Sequence, residues 1–91
     1  MRVFWSEAAS ADVYRIFLHI LESNPSAAHS VLRQLYQGCS SLESLSKRGR
    51  PSRVRGRREL VFQSLPYIAI YRVHKDSVEI LHIYHSAQDW P

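Results

Sequence analysis

Apolar residues recur along this chain with two different periods, and the change from one to the other falls in a basic stretch containing Gly49, Pro51 and Gly56. After Arg2 to Trp5, which reads as a short first strand, Ala9, Val13, Ile16, Phe17 and Ile20 repeat at helical spacing. Asp12, Arg15, His19 and Glu22 fall to the other side, Ser6 is placed to cap this helix, and Glu7 sits where the helix dipole favours an acid. The helix is expected to end near Ser23, because Pro25 cannot continue it but suits the first position of a second helix capped by Asn24. Ala28, Val31, Leu32, Leu35, Cys39 and Leu42 then repeat at spacings of three and four. So short a connection predicts an antiparallel helix hairpin.

Beyond the basic stretch the period becomes two. Glu59 to Gln63 alternates, Ser64-Leu65-Pro66 turns, Tyr67 to Val73 runs back, His74 to Ser77 turns again, and Val78 to His85 forms a last run. Tyr67 to Val73 is apolar on most positions of both faces, which predicts a central, covered strand. The expectation is an α+β domain, ordered β-α-α-β-β-β, with a two-helix antiparallel hairpin packed on a small, mainly antiparallel sheet. Residues 45–56 read as a loop. Tyr36 and Tyr71 read as packing residues, and Trp90 as a C-terminal anchor on the sheet edge.

At 91 residues the chain has room for one core and one domain. Its charged amino-terminus and the lack of a long apolar run predict a soluble, cytoplasmic protein, and the single Cys39 fits a reducing compartment. The net charge of +4 is concentrated: Lys47, Arg48, Arg50, Arg53, Arg55, Arg57 and Arg58 carry +7 with no acid among them, and the remainder sums to −3. Such a field is suited to a polyanion or an acidic protein partner, although a solvated loop would look the same.

No phosphate-binding loop, HExxH or Cys/His metal spacing is present, so neither metal nor cofactor is expected. The candidate chemistry lies near the end of the chain, where Tyr84 and His85 close the last strand and Arg57, Arg58 and Arg72 come from neighbouring strands. Imidazole titrates near neutrality and arginine holds phosphate bidentately, a combination able to bind RNA and move a proton in its cleavage. His82, on the opposite pleat from His85, reads as a packed or surface strand histidine.

Several segments together resemble the RelE/ParE superfamily of toxins from bacterial type II toxin-antitoxin modules. They are Trp5-Ser6-Glu7-Ala8-Ala9 entering a helix, Gly49-Arg50-Pro51 through Val54-Arg55-Gly56, Arg57-Arg58-Glu59-Leu60, Leu65 to Val73, Val78 to His85 and the terminal Gln88-Asp89-Trp90-Pro91. The resemblance covers nearly the whole chain and implies a growth-inhibiting toxin held inactive by a cognate antitoxin. RelE-like and YoeB-like members cut mRNA on the ribosome, whereas ParE-like members inhibit DNA gyrase.

What the resemblance carries over is uneven. His85 stands where YoeB-like nucleases keep a general acid, and Arg55 where they keep a basic residue before a glycine; Ser52 and Ile68 stand where a glutamate base and a phosphate-stabilising arginine are expected. The reading preferred on the sequence is a ribosome-dependent mRNA endonuclease, with His85, Arg58 and Arg55 catalytic and Arg50, Arg53, Arg57, Arg72 and Tyr84 binding substrate. The alternatives are a gyrase inhibitor acting by binding and a non-toxic antitoxin-binding domain. The antitoxin is expected to order on the basic loop and an exposed sheet edge.

Overall fold

A computed structural model describes residues 1–88. The elements are β1 (Arg2–Trp5), α1 (Glu7–Leu21), α2 (Pro25–Ser40), a 3-10 turn (Ser41–Glu43), β2 (Arg50–Pro51), β3 (Arg58–Val61), β4 (Tyr67–Val73) and β5 (Ser77–His85). They build one five-stranded sheet in the order β1-β5-β4-β3-β2, antiparallel except for the parallel pairing of β1 with β5. This is the expected α+β arrangement, with β4 at the centre of the sheet.

The helix starts follow from their caps. Ser6 Oγ accepts the amide of Ala9 and Asn24 Oδ1 accepts that of Ala27, each satisfying a donor that the first turn leaves without a partner. Leu42 lies in the 3-10 turn, where it is nevertheless fully buried.

The core joins Ala9 and Val13 of α1 and Leu35 and Cys39 of α2 to Leu60, Ala69, Tyr71, Val78, Ile80 and Ile83 on one face of the sheet. On the opposite face Ile68 and Ile70 are buried too, at 3% and 1% exposure, although both helices pack on the other side. A bulge between β4 and β5 pairs Ile70 with His82 and Tyr71 with Ile80, leaving Leu81 as the extra residue.

That bulge marks a change of partner along the outer edge of β5. β1 pairs with β5 only as far as Ile80, whose carbonyl accepts the amide of Ser6. From there α1 closes the edge: Ser6 Oγ donates to the Leu81 carbonyl, and Asp12 Oδ2 accepts the Ile83 amide at 2.9 Å. A helix thereby covers a strand edge that would otherwise be open to pairing.

Three expectations are corrected. Residues 45–56 are not all loop, since Arg50–Pro51 forms the edge strand β2 against Arg58 and Glu59. Pro51 is tolerated there because an edge position has one side free of ladder bonds. Asp12, expected on the outer side of α1, is 7% exposed and bonded to β5. The third strand spans Arg58–Val61 rather than Glu59 to Gln63, because Val61 pairs with Ile68 and the chain must already be turning at Phe62. The anchoring role expected of Trp90 lies outside the described residues.

Candidate functional site

The basic loop is held against the central strand by Tyr71. This side chain is fully buried, and its hydroxyl donates to the Ser46 carbonyl at 2.8 Å and accepts the Gly49 amide at 2.9 Å. Gly49 is required at this approach, since a Cβ there would lie 2.6 Å from the Glu59 carbonyl oxygen and 2.7 Å from the Tyr71 ring. The loop then closes on itself: the Ser52 amide donates to the Arg57 carbonyl, the Val54 amide to Ser52 Oγ and the Arg57 amide to the Val54 carbonyl. Gly56 adopts φ 82°, a left-handed conformation that glycine takes without strain.

Several of the cations are committed to this scaffold. The Arg58 guanidinium donates twice to the Gly49 carbonyl, at 2.9 and 2.6 Å, and once to that of Lys47 at 3.1 Å. Arg50 pairs with the buried Glu59 at 2.8 Å, and Arg48 donates to Ser41 Oγ at 2.7 Å. Arg53 is exposed in the bend. Lys47, Ser52, Arg55, Gly56, Arg57 and Arg58 line a cleft of about 360 Å³. Of these residues Arg57 has its Nε buried without a hydrogen-bond partner among the described residues. Among the described residues no carboxylate pairs with Lys47, Arg55 or Arg57.

The remaining candidates are on β4 and β5. Arg72 faces away from the helices, opposite Glu79, whose carboxylate is bonded to His74. Tyr84 shares that face and stacks on His82, with ring centroids 5.0 Å apart. His85 is on the helix side at the far end of β5, edge-on to Tyr67 at 5.5 Å, and its Nδ1 accepts the Ala87 amide at 3.1 Å. Partial burial raises the Tyr67 phenol above its ordinary range.

The register fixes the distance between the two halves of the candidate site. His85 pairs with Tyr67 and Arg58 with Tyr71, so they lie four residues apart along β4 and are separated by two strand spacings as well. At about 3.3 Å per residue and 4.8 Å per strand, their backbones are on the order of 15 Å apart. Arg55, Arg57 and Arg58 are thus brought together, and Arg72, one position beyond the Arg58–Tyr71 pairing and next to the cleft-lining Val73, lies beside Arg57, while His85 and Tyr84 are at the other end of β4.

Two features of the site escaped the sequence reading. Tyr71 was legible as a core residue but not as the pin of the loop, because nothing local links it to Ser46 and Gly49. Lys47 was legible only as part of a charge run. Among the described residues no cluster of His, Cys, Asp or Glu could hold a metal ion, and no helix is long and apolar enough to cross a membrane.

A helix hairpin on one face of this small mixed sheet, with a cationic loop pinned to its central strand, places the molecule among the RelE/ParE-type toxins. Residues 3–90 match the family of the ParE toxin of type II toxin-antitoxin systems, parDE, and the chain belongs to that family. It is similar to "Putative toxin Y4kP" of Sinorhizobium fredii, with 36% identity over 90 residues that cover 99% of this chain and 93% of that protein. Among solved structures it is similar to the chromosomal ParDE toxin-antitoxin system from P. aeruginosa, with a TM-score of 0.86 and 28% identity, covering 93% of this chain and 95% of that one. It is accordingly the toxin of a type II module, and its partner is a cognate antitoxin.

Proposed function

We propose that this toxin arrests growth by binding DNA gyrase, and that it is not a ribosome-dependent mRNA endonuclease. The observation that carries this reading is the separation of His85 from the cationic cleft. A proton donor must come within hydrogen-bond reach of the atom it serves, and with backbones about 15 Å apart the Arg58 guanidinium is turned to the Gly49 and Lys47 carbonyls while the His85 ring is turned to Tyr67 and Ala87, so the two do not converge on one phosphate. The absence of an arginine at Ile68, which is buried at 3% exposure, removes a further charge that a developing phosphorane would need. Inhibition by binding requires none of these groups, and membership of the ParE family supports the same reading.

The test is a supercoiling assay with purified gyrase, relaxed plasmid and antitoxin-free toxin. Loss of supercoiling that is restored by the cognate antitoxin is expected. Unimpaired supercoiling, together with new ribosome-dependent ends on a message mapped by primer extension, would reinstate the nuclease.

A further inference from the structure

We propose that the cleft beneath the basic loop seats a phosphodiester group, so that the toxin grips nucleic acid directly. This rests on the gyrase reading only for the choice of DNA as the owner of the phosphate. Three observations converge on the cleft. Its volume of about 360 Å³ accommodates a phosphate with its flanking sugar oxygens. Lys47, Arg55 and Arg57 line it without a carboxylate partner among the described residues. Arg57 lines the cleft with its Nε free of any acceptor among the described residues, so its side chain is not tied to the scaffold as that of Arg58 is.

The remaining cations make the seat rigid rather than adding to its charge. Arg58, Arg50 and Arg48 are spent on Gly49, Lys47, Glu59 and Ser41 within the fold. Their bonds fix the loop before any ligand arrives, so little ordering remains to be done on binding. Nothing lies within 4 Å of the position a Cβ would take on Gly56, so a ligand backbone can approach the main chain there.

Phosphate suits this seat better than an acidic peptide. Guanidinium forks match phosphate oxygens bidentately. Duplex DNA also presents one negative charge per about 1.7 Å of axis, denser than the ~3.3 Å per residue of an extended peptide. Lys47, Arg55 and Arg57 gathered on one cleft match the denser partner.

The experiment measures fluorescence anisotropy of a short labelled DNA duplex, a single-stranded RNA and a polyglutamate peptide with the full-length toxin over a range of salt. The double variant Arg55→Gln/Arg57→Gln is compared with Arg33→Gln/Lys75→Gln, which removes the same charge from α2 and from the turn before β5. Arg57→Lys keeps the charge and removes only the fork. We expect the cleft pair to lose at least ~10-fold in duplex affinity, with the salt slope falling by about two. The distant pair should stay near wild type and Arg57→Lys should fall between. Equal losses in both double variants, no nucleic-acid binding at physiological salt, or preferential binding of polyglutamate would each overturn the proposal.

The two readings fail separately. Gyrase inhibition without duplex binding sinks the phosphate seat alone. Cleft-dependent binding of RNA in preference to DNA supports the seat and counts against the gyrase reading.

Discussion

The Asp12 carboxylate on α1 accepts the backbone amide of Ile83 on β5 at 2.9 Å, so a helix side chain completes the ladder of a strand. The same oxygen lies 3.1 Å from His82 Nδ1, and the other carboxylate oxygen takes Arg15 at 2.7 Å. The Arg15 side chain is 70% exposed, so that ion pair contributes little, and the buried bond to Ile83 is what the fold depends on. Asp12→Ala should cost about 2–3 kcal/mol, the usual penalty for orphaning a buried donor together with a lost side-chain bond. Asp12→Asn, which retains an acceptor for the amide, should lose less than half of that. Urea unfolding of the three proteins checks this, and equal losses in Ala and Asn would show that charge rather than the edge bond matters.

The Tyr71 hydroxyl is the second long-range joint, and it predicts a local loosening rather than a global one. Tyr71→Phe leaves the ring in the core but removes one acceptor and one donor, with an expected loss of about 1.5–3 kcal/mol. Hydrogen exchange at Gly49 should accelerate more than exchange in β4. Gly49→Ala should disturb the same joint from the other side, because its Cβ would meet the Glu59 backbone oxygen at 2.6 Å, where nothing flexible can yield. If exchange rises uniformly in both variants, the loop is not pinned by this contact.

Cys39 gives a prediction in pH. The thiol is fully buried, and desolvation pushes its pKa up to about 12. In the unfolded chain it ionises at ordinary thiol values, so above those values the unfolded state loses a proton that the native state keeps. Stability from this group is complete at neutral pH and should fall as pH rises toward 12, by about 1.4 kcal/mol per unit. Cys39→Ala should flatten that part of the curve. The native thiol should also resist alkylation at pH 8 and react on unfolding; rapid native modification would contradict its burial.

The parts of this fold that were legible in the sequence are those whose cause is local. β4 spans Tyr67–Val73 as expected because five β-favouring residues in seven stand between a proline turn and a polar turn, and both helix caps follow from Ser6 and Asn24. β2 was illegible, since a strand containing Pro51 beside Gly49 exists only because Tyr71 and Arg58 hold the loop from elsewhere in the fold. Asp12 was half legible: it lies three residues after Ala9 and four before Ile16, on the border of the apolar stripe, and such an acid needs a buried partner. The cations were plain in the sequence, but their division into scaffold and cleft depends on backbone carbonyls that carry no sequence signal. The distance from His85 to the cleft likewise depends on strand order and register.

His85 is where the two mechanisms make opposite predictions for one substitution. Its Nδ1 accepts the Ala87 amide and its ring packs edge-on against Tyr67, so it finishes β5 and the turn that follows. Removing such an aromatic contact costs about 0.5–1.5 kcal/mol, too little to unfold a domain of ordinary stability. His85→Ala is therefore expected to fold, to bind antitoxin and to inhibit supercoiling within about two-fold of wild type, a change of no more than ~0.4 kcal/mol. An endonuclease using His85 as its proton donor would instead lose the 10²–10⁴-fold typical of general acid catalysis. Growth arrest that disappears in a folded His85→Ala variant would return the molecule to the nuclease branch, despite the distance between its histidine and its cations.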